Sequence, residues 1–517
     1  MEYLSQAGGL ILDWQVLVTI LAGTAIGLVV GALPGLGSVV AVTVVLPFTF
    51  SMDTVPSIAL LVAVYCSSVF GGSFTAVLLN TPGTPQSAAT VLDGYAMTRA
   101  GKGDLALGWV AGGSLVGGLV STVVLVLLAP QLAAVALRFG PIETFGLICL
   151  ALTCISGVSG KNILLGWIGG SIGLMLGSVG VDPLSGQTRF TFGSFAVSSG
   201  IEIVPVLVGL FAISEVIYRL NESEASRAAA NIVPGFKLAP MKEWLLRWKT
   251  LVSGSVIGSA VGALPGTGAA TAAFISYAAA KRFGRFRNDI GKGEPEGIVA
   301  SETANNAVTG GALVPTLALG IPGDPVTAVM MTALIIQGIQ PGTRLFVDTP
   351  ELVYATFLLL ILANLAMFLS AGVFSRVFSR IVSFPQPIQL SIIVVLSVVG
   401  SYGVRGNVFD LWVMMMAGAV GYLCRIASIP IAPIVIGMVL GPFLEQNLRQ
   451  GLILTRGSFW AFFSSPIAAV LIGGAAVIIL TSVLFLVRDW VKGKPSVVDT
   501  QVASFLSRQE QSDGKRR

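Results

Sequence analysis

The sequence contains no histidine among its 517 residues. This absence excludes histidine-based acid–base catalysis, histidine-ligated metal sites and histidine proton relays. The sequence also lacks a glycine-rich phosphate loop of the Walker A type, so we do not expect the chain itself to hydrolyse ATP. The nearest pattern, "GKGEPEG" at Gly291 to Gly297, is interpreted as a solvated turn. We therefore predict that the protein is not an enzyme.

Charged residues are scarce, because only 11% of the chain is Asp, Glu, Lys or Arg, against about 25% in typical soluble domains. Hydrophobic residues make up 54% and form a long series of apolar runs, each long enough to cross a bilayer. The strand alternation of a β-barrel is absent. These features predict an all-α polytopic membrane protein. The net charge of +5 is attributed to basic flanks of membrane helices, so no nucleic-acid partner is expected.

Internal repeats indicate two related halves. "GALPGLG" (Gly31 to Gly37) matches "GALPGTG" (Gly262 to Gly268), and "NTPGTP" (Asn80 to Pro85) matches "GIPGDP" (Gly320 to Pro325). Two further pairs, "SGVSGKN" with "SYGVRGN" and "EIVPVLVGL" with "PIAPIVIGM", follow in the same order. We predict a first membrane repeat at 1–220, a linker at 221–247, a second repeat at 248–450, an extra membrane helix at 463–487 and a tail at 488–517.

Each half is predicted to contain a re-entrant hairpin and a broken crossing helix. The hairpins are placed at 14–49 and 250–283, and the broken helices at 56–98 and 298–340. The 34 residues of the second hairpin run would reach ~51 Å as one helix, too long for a straight crossing. That run is basic at both ends and the first is not, so the two hairpins are expected to enter from opposite sides, as inverted repeats. The basic linker and the tail are placed in the cytoplasm. An arrangement of full crossings throughout is the alternative.

The four glycine- and proline-containing breaks are the candidate substrate site. Irregular backbone persists at membrane depth only where it is buried in protein or lines a polar cavity, and transporters use such half-helix ends to bind anions. Packing kinks are the alternative explanation. No Lys or Arg lies near any break in the sequence, so backbone N–H groups are expected to hold the ligand. The candidate residues are Pro34, Gly35, Gly37, Ser38, Asn80, Thr81, Pro82, Gly83, Thr84, Pro265, Gly266, Thr267, Gly268, Asn305, Asn306, Pro322 and Gly323.

Four polar residues inside apolar segments need separate interpretation. Asp324 precedes Pro325, so it is either the N-cap of a helix or the residue that takes a coupling Na⁺ or proton, and both roles are compatible. Asn305 and Asn306 either face a polar cavity or join neighbouring helices. Glu302 is expected at the membrane interface. No other cofactor and no metal site are expected.

Four segments carry a family resemblance: "GALPGLGSVVAVTVVLPFTF", "NTPGTPQSAATVLDGYAMTRAGKG", "GALPGTGAATAAFISYAAAKR" and "GIPGDPVTAVMMTALIIQGIQPG". They resemble the signature segments of the TctA-type large membrane subunit of the bacterial tripartite tricarboxylate transporters, and the resemblance covers nearly the whole chain. The resemblance does not transfer binding residues one by one.

This resemblance implies a secondary transporter of the bacterial inner membrane that is driven by an ion gradient. It implies two protein partners, a small membrane subunit and a periplasmic solute-binding protein that delivers a small carboxylate such as a citrate-like tricarboxylate. The loop "VDPLSGQTRFTFGS" at Val181 to Ser194 is a candidate docking surface for the binding protein or an ordinary connector. The alternative function is an anion channel or a membrane scaffold for partner subunits.

Overall fold

The computed structural model describes residues 2–156, 163–182, 185–220, 235–265, 268–382 and 385–491. Almost all of the secondary structure in these ranges is α-helical, and nine segments are long and apolar enough to cross a membrane. The expected class, an all-α polytopic membrane protein, is confirmed. The nine segments are α2, α4, α6, the α10–α11 segment, α18, α19, α20, α21 and α22, whose bounds follow.

The helices are α1 Glu2–Ile11, α2 Trp14–Ala32, α3 Gly37–Val45, α4 Thr54–Leu79, α5 Val91–Arg99, α6 Gly103–Ala136, α7 Pro141–Ser156, α8 Ile163–Gly177, α9 Phe195–Ser198, α10 Ile203–Leu207, α11 Ser214–Leu220, α12 Met241–Leu246, α13 Trp248–Ala263, α14 Ala269–Phe283, α15 Pro295–Leu319, α16 Pro325–Ile336, α17 Leu345–Asp348, α18 Pro350–Val382, α19 Gln386–Gly403, α20 Val408–Ile426, α21 Ile431–Leu454 and α22 Pro466–Val491. Shorter helical turns occupy Leu46–Ser51, Pro85–Ala88, Val208–Ile213 and Phe459–Ser464. Two strands, β1 Gly180–Val181 and β2 Thr188–Arg189, pair antiparallel.

The chain divides into two compact units. Unit 1 comprises residues 1–138 and 201–419, and unit 2 comprises residues 139–200 and 420–517. Each unit therefore takes residues from both of the halves that the repeats define. The four breaks all belong to unit 1. The linker and the tail predicted from the sequence lie largely outside the described residues, at 221–234 and 492–517.

In unit 1, α2 packs against α4 with the two helices running in the same direction. Gly23 meets Leu60, Gly27 meets Val64 and Gly31 meets Ser68, so contacts advance together along both helices. Since α2 and α4 are parallel, the segment between them, α3 and the turn after it, must return to the side on which α2 began. Glycine on α2 permits this approach, because a Cβ at these positions would overlap the backbone of α4.

The second half repeats this arrangement in α13 and α15. Gly254 of α13 lies against Ala300, and Gly262 lies against Val308, so these helices also run in the same direction. By contrast, α4 and α15 run antiparallel to one another. Ser73 near the end of α4 bonds Glu302 near the start of α15, whereas Tyr65, earlier in α4, bonds Asp324 just after α15 ends. Almost every residue of α4 and α15 is buried, which makes them the central helices of unit 1.

The loop before α15 holds a buried carboxylate from the first half. Asp93 of α5 accepts hydrogen bonds from the backbone N–H groups of Gly291 at 2.8 Å, Gly293 at 2.8 Å and Glu294 at 2.9 Å, and from the hydroxyl of Tyr277 at 2.8 Å. "GKGEPEG", interpreted above as a solvated turn, is thus also a carboxylate-binding loop. The positive φ angles of Gly291 and Gly293 aim these N–H groups at a single acceptor.

Unit 2 is built from α7, α8, α21 and α22. Gly173 of α8 and Gly437 of α21 allow these two helices to pack closely. Next to β2, Arg189 pairs with Asp182 and with Glu445 at 2.7 Å, and Arg449 bonds Asp182 at 2.8 Å. The hydrogen bond from Arg189 to Glu445 raises the pKa of the guanidinium, so this side chain stays charged over the physiological pH range.

A labelling experiment tests the directions of the two hairpins. Ser51, after the first hairpin, and Asn288, after the second, are both exposed. In a background with the four native cysteines replaced, Ser51→Cys and Asn288→Cys should react with a membrane-impermeant maleimide from opposite sides, outside and inside respectively. Labelling of both positions from one side would contradict inverted hairpins.

A substitution pair tests the packing of α2 on α4. In Gly27→Ala the new Cβ would lie 2.7 Å from the carbonyl oxygen of Val64, so we expect a loss of about 1–3 kcal/mol of stability. Gly9→Ala is the matched control, because no heavy atom lies within 4 Å of a Cβ at this helical position. The control should be neutral or stabilising by roughly 0.5–1 kcal/mol. Equal unfolding midpoints for both variants in detergent would disprove tight packing at Gly27.

Candidate functional site

The helices α4 and α15 end in the same way. Asn80 and Gly320 both adopt left-handed backbone conformations, with φ of 58° and 69°. The next residue in each case donates its backbone N–H to a carbonyl six residues back, from Thr81 to Thr75 and from Ile321 to Pro315, both at 3.3 Å. This is the bonding of a Schellman cap, which satisfies carbonyl groups that the interrupted helix would otherwise leave unpaired.

The break after α15 is closed by side chains. Asp324 accepts a hydrogen bond from the backbone N–H of Thr327 at 2.7 Å, and the Thr327 hydroxyl accepts from the Asp324 N–H at 3.0 Å. This capping box confirms the N-cap role expected of Asp324. Its other carboxylate oxygen accepts from the hydroxyl of Tyr65 on α4 at 2.5 Å, and Gly323 donates to Thr316. The ion-coupling role of Asp324 stays a prediction.

The break after α4 is joined to the first hairpin tip. Gly83 donates its N–H to Gly72 at 3.1 Å, and its carbonyl accepts from the N–H of Gly35 at 3.2 Å. Thr84 is buried beside them. Two of the predicted motifs, "GALPGLG" and "NTPGTP", therefore meet through a direct backbone hydrogen bond.

At this first tip, Gly35 and Gly37 have φ of 84° and 75°, which a side chain disfavours. α3 begins at Gly37, and no side-chain hydrogen bond caps its N-terminus. The first backbone N–H groups of a helix have no acceptor within the helix itself. Ser38 and Thr43 on α3 are buried, and their hydroxyls have no hydrogen-bond partner among the described residues. Pro34 is only partly buried, next to exposed Gly35.

The second tip is described only in part. Gly266 and Thr267 lie outside the described residues, whereas Pro265 and Gly268 are partly buried. Gly268 has φ of 74°, nearly that of Gly37, and immediately precedes α14, whereas Gly37 is the first residue of α3. Within the described ranges no hydrogen bond joins the first tip to the second. The expectation that the two tips clasp one substrate is therefore a prediction still.

The sequence places no Lys or Arg near a break, but the fold brings one to the first tip. The guanidinium of Arg219 on α11 lies directly against Gly35, where a Cβ would overlap its Nη2. Arg219 is buried and pairs through Nε with buried Glu215 at 2.6 Å. The sequence did not predict this contact, because α11 follows the first tip by well over a hundred residues. A Glu and an Arg four residues apart inside an apolar segment were the available signal.

Glu302 is not at an interface, as the sequence analysis expected, because its exposed fraction is 0%. Its carboxylate accepts hydrogen bonds from Ser73 at 2.7 Å, from Ser114 at 3.0 Å and from Thr90. The prediction failed because it relied on the distance to the helix end along the chain. Packing of α4, α5 and α6 around that end removes it from solvent.

Asn305 and Asn306 are fully buried, as a polar cavity or helix-joining role requires. The Asn306 amide nitrogen donates to the Ser114 hydroxyl at 2.7 Å, which joins α15 to α6. Its amide oxygen, and both amide atoms of Asn305, have no hydrogen-bond partner in the part of the chain that the structure describes. Buried polar groups without partners are costly, and they mark places where a ligand can supply the partner. Within their breaks, Pro82 is partly buried and Pro322 is buried.

Comparisons with known proteins agree with these features. Residues 17–436 match the model of the tripartite tricarboxylate transporter TctA family. An uncharacterized 52.8 kDa protein of the TAR-I ttuC' 3' region of Agrobacterium vitis is 37% identical over 462 residues, covering 88% of this chain and 91% of that protein. An uncharacterized protein of the TAR-II ttuC' 3' region of the same organism is 34% identical over 233 residues, covering 45% of this chain and 96% of that protein. No solved structure matches the chain. The chain belongs to the TctA family of tripartite tricarboxylate transporters.

Proposed function

We propose that this protein is the large membrane subunit of a secondary importer that moves small carboxylates inward on an ion gradient. Substrate would arrive from a periplasmic binding protein, and a small membrane subunit would complete the complex in the bacterial inner membrane. Family membership supports a tripartite transporter component. The observation that carries the proposal is a pair of buried, interrupted helices, α4 and α15, which run antiparallel and end in the same cap.

The helix directions support an inverted repeat. Each half has a first helix parallel to its interrupted helix and a short return between them, and the two interrupted helices point in opposite directions. Such repeats place substrate and ion sites near the bilayer midplane, at discontinuous helices, and allow alternating access by motion of one repeat against the other. A continuous charged pore lining, which a channel would need, was not found in the sequence.

The first tip supports a carboxylate site. Backbone N–H groups at the start of α3 favour an anion, and the unpartnered hydroxyl of Ser38 adds a donor. Arg219 supplies a positive charge that the sequence alone did not place at this tip. Glu215 already pairs with its guanidinium, so this charge becomes available to a substrate only when that ion pair opens. A carboxylate substrate would compete with Glu215 for the guanidinium, which allows binding that is strong enough to select and weak enough to release.

A counterflow assay tests the proposal. In proteoliposomes containing the complete transporter, labelled citrate and other labelled di- and tricarboxylates should exchange against the same unlabelled acid inside. An anion channel or a scaffold shows no substrate-dependent exchange. Gly35→Val should reduce exchange at least about tenfold at normal membrane abundance, because left-handed strain costs on the order of 1–3 kcal/mol and the side chain displaces Arg219.

Gly101→Val is the matched control for this variant. Gly101 also has a positive φ, 76°, but no heavy atom lies within 4 Å of a Cβ there. The control carries the same backbone strain in an open loop and should exchange substrate normally. Normal exchange by Gly35→Val would remove the first tip from the substrate site.

Docking of the binding protein is proposed at the loop that contains β2. Phe192 in this loop and Phe195 at the start of α9 are each 93% exposed. Arg189 pairs with Asp182 and Glu445 and so fixes the position of the loop. Exposed aromatic side chains are frequent sources of binding energy at interfaces. Phe192→Ala should therefore lower uptake about fivefold or more when binding protein is limiting, and excess binding protein should restore it.

Phe283→Ala is the control for docking, because Phe283 is 76% exposed at the end of α14, on the side expected to face the cytoplasm. It should leave uptake unchanged at every concentration of binding protein. Identical titration curves for Phe192→Ala and the unsubstituted protein would exclude docking at this loop.

A further inference from the structure

A polar cluster surrounds Glu302 in the interior of unit 1. We define the Glu302 cluster as Glu302 and Asn306 of α15, Ser73 of α4, Thr90 before α5, and Ser114 of α6. The exposed fraction of each of these five side chains is 0% or 1%. The cluster therefore joins four separate segments of the chain at one buried point.

The carboxylate of this cluster has no cationic partner. Every hydrogen bond described to its oxygens comes from a neutral hydroxyl, and no ion pair within the described ranges includes Glu302. Removing a carboxylate from water costs several kcal/mol even in relaxed proteins, and charges at membrane depth are normally paired. A cation that binds here would neutralise the only charge in the cluster.

The cluster contains one oxygen without a partner, and α15 carries others close to it in the sequence. The Asn306 amide oxygen has no partner among described residues although its nitrogen is bonded to Ser114 within the cluster. Asn305 is one position earlier on α15, and both of its amide atoms lack a partner among the described residues. The Thr303 hydroxyl also lacks one. All of these side chains are fully buried. Within the cluster itself, the carboxylate, the three hydroxyls and the Asn306 amide oxygen are all oxygen donors for a cation.

We propose that the Glu302 cluster binds a sodium ion, and that this ion is the coupling ion of the importer proposed above. A proton would neutralise one carboxylate oxygen and leave the Asn306 amide oxygen without a partner, whereas a sodium ion accepts several oxygen ligands at once. The single carboxylate also matches a monovalent ion, since no group of three Asp, Glu, Cys or His side chains clusters in the described part of the chain. The hard oxygen donors fit an alkali or alkaline-earth cation rather than a thiophilic metal.

The position of the cluster connects the ion to the helix breaks. Thr90 and Ser73 flank the interruption at 80–84, and both bond Glu302 of the other half. Occupation of the cluster would therefore hold the segment after this break against α15. Asp324 has a separate structural task, because its carboxylate forms the capping box that begins α16.

Sodium binding is measured without transport. The purified protein in detergent should be stabilised by NaCl relative to choline chloride at equal ionic strength. A Na⁺ concentration about 100 times the Kd should raise the Tm by roughly 2–3 °C. Glu302→Gln keeps the size of the side chain and removes its charge, so it should weaken apparent Na⁺ affinity by about tenfold or more.

A second pair of variants separates binding from folding. Ser114→Ala removes one cluster hydroxyl and should also weaken Na⁺ binding. Ser121→Ala on the same helix is its matched control, because the Ser121 hydroxyl bonds only the carbonyl of Gly118 in the described structure, at 2.9 Å. The control should bind Na⁺ normally. If Glu302→Gln does not fold, the comparison of Ser114→Ala with Ser121→Ala still decides, and equal Na⁺ affinities for these two would overturn the proposal.

Two further results would also overturn it. One is a Tm that responds to pH but not to Na⁺ between pH 6 and 8, which would assign the site to a proton; the other is full Na⁺ stabilisation of Glu302→Gln. Failure of the proposed function is a separate result. Na⁺ stabilisation that depends on Glu302, in a protein that exchanges no carboxylate, would keep the sodium site and refute the carboxylate importer.

Discussion

An interrupted helix inside a membrane exposes N–H and C=O groups that lipid cannot hydrogen-bond, and unit 1 is organised around this constraint. The ends of α4 and α15 bond back onto their own helices, and the remaining groups are met by Thr316, by Asp324 and by the tip of the first hairpin. A helix break whose backbone groups are hydrogen-bonded by other segments must be surrounded by those segments. This explains why α4 and α15 are central and almost wholly buried.

Polar residues of unit 1 fall into two groups that the sequence does not separate. One group, including Asp324, Thr327 and Tyr65, is fully engaged in closing a break. The other, including Ser38 and Asn305, is equally buried but has side-chain atoms without partners among the described residues. Buried polar side chains that close a break and buried polar side chains without described partners therefore occur together in unit 1.

The sequence predicted what is encoded locally. Glycine and proline located the helix interruptions, and Asp before Pro identified the cap at Asp324, because these residues act through their own backbone. Arg219 was not identified and Glu302 was wrongly placed at the membrane interface, because their environments depend on helices distant in the chain. Glu302 lies only seven residues into α15, yet residues from α4 and α6 bury it completely. No local pattern reports such packing.

Unit 2 is formed by two stretches that are far apart along the chain, and this has a consequence for its biosynthesis. α8 ends at Gly177, and its packing partner α21 begins only at Ile431. At roughly 5–20 residues per second, a ribosome needs on the order of 10–50 s to make the chain between them. During that interval α7 and α8 are already synthesised without the helices that cover them. Arg189 is synthesised only seven residues after Asp182, long before Arg449. The β1–β2 hairpin can therefore neutralise the charge of Asp182 by itself while the rest of the chain is being made.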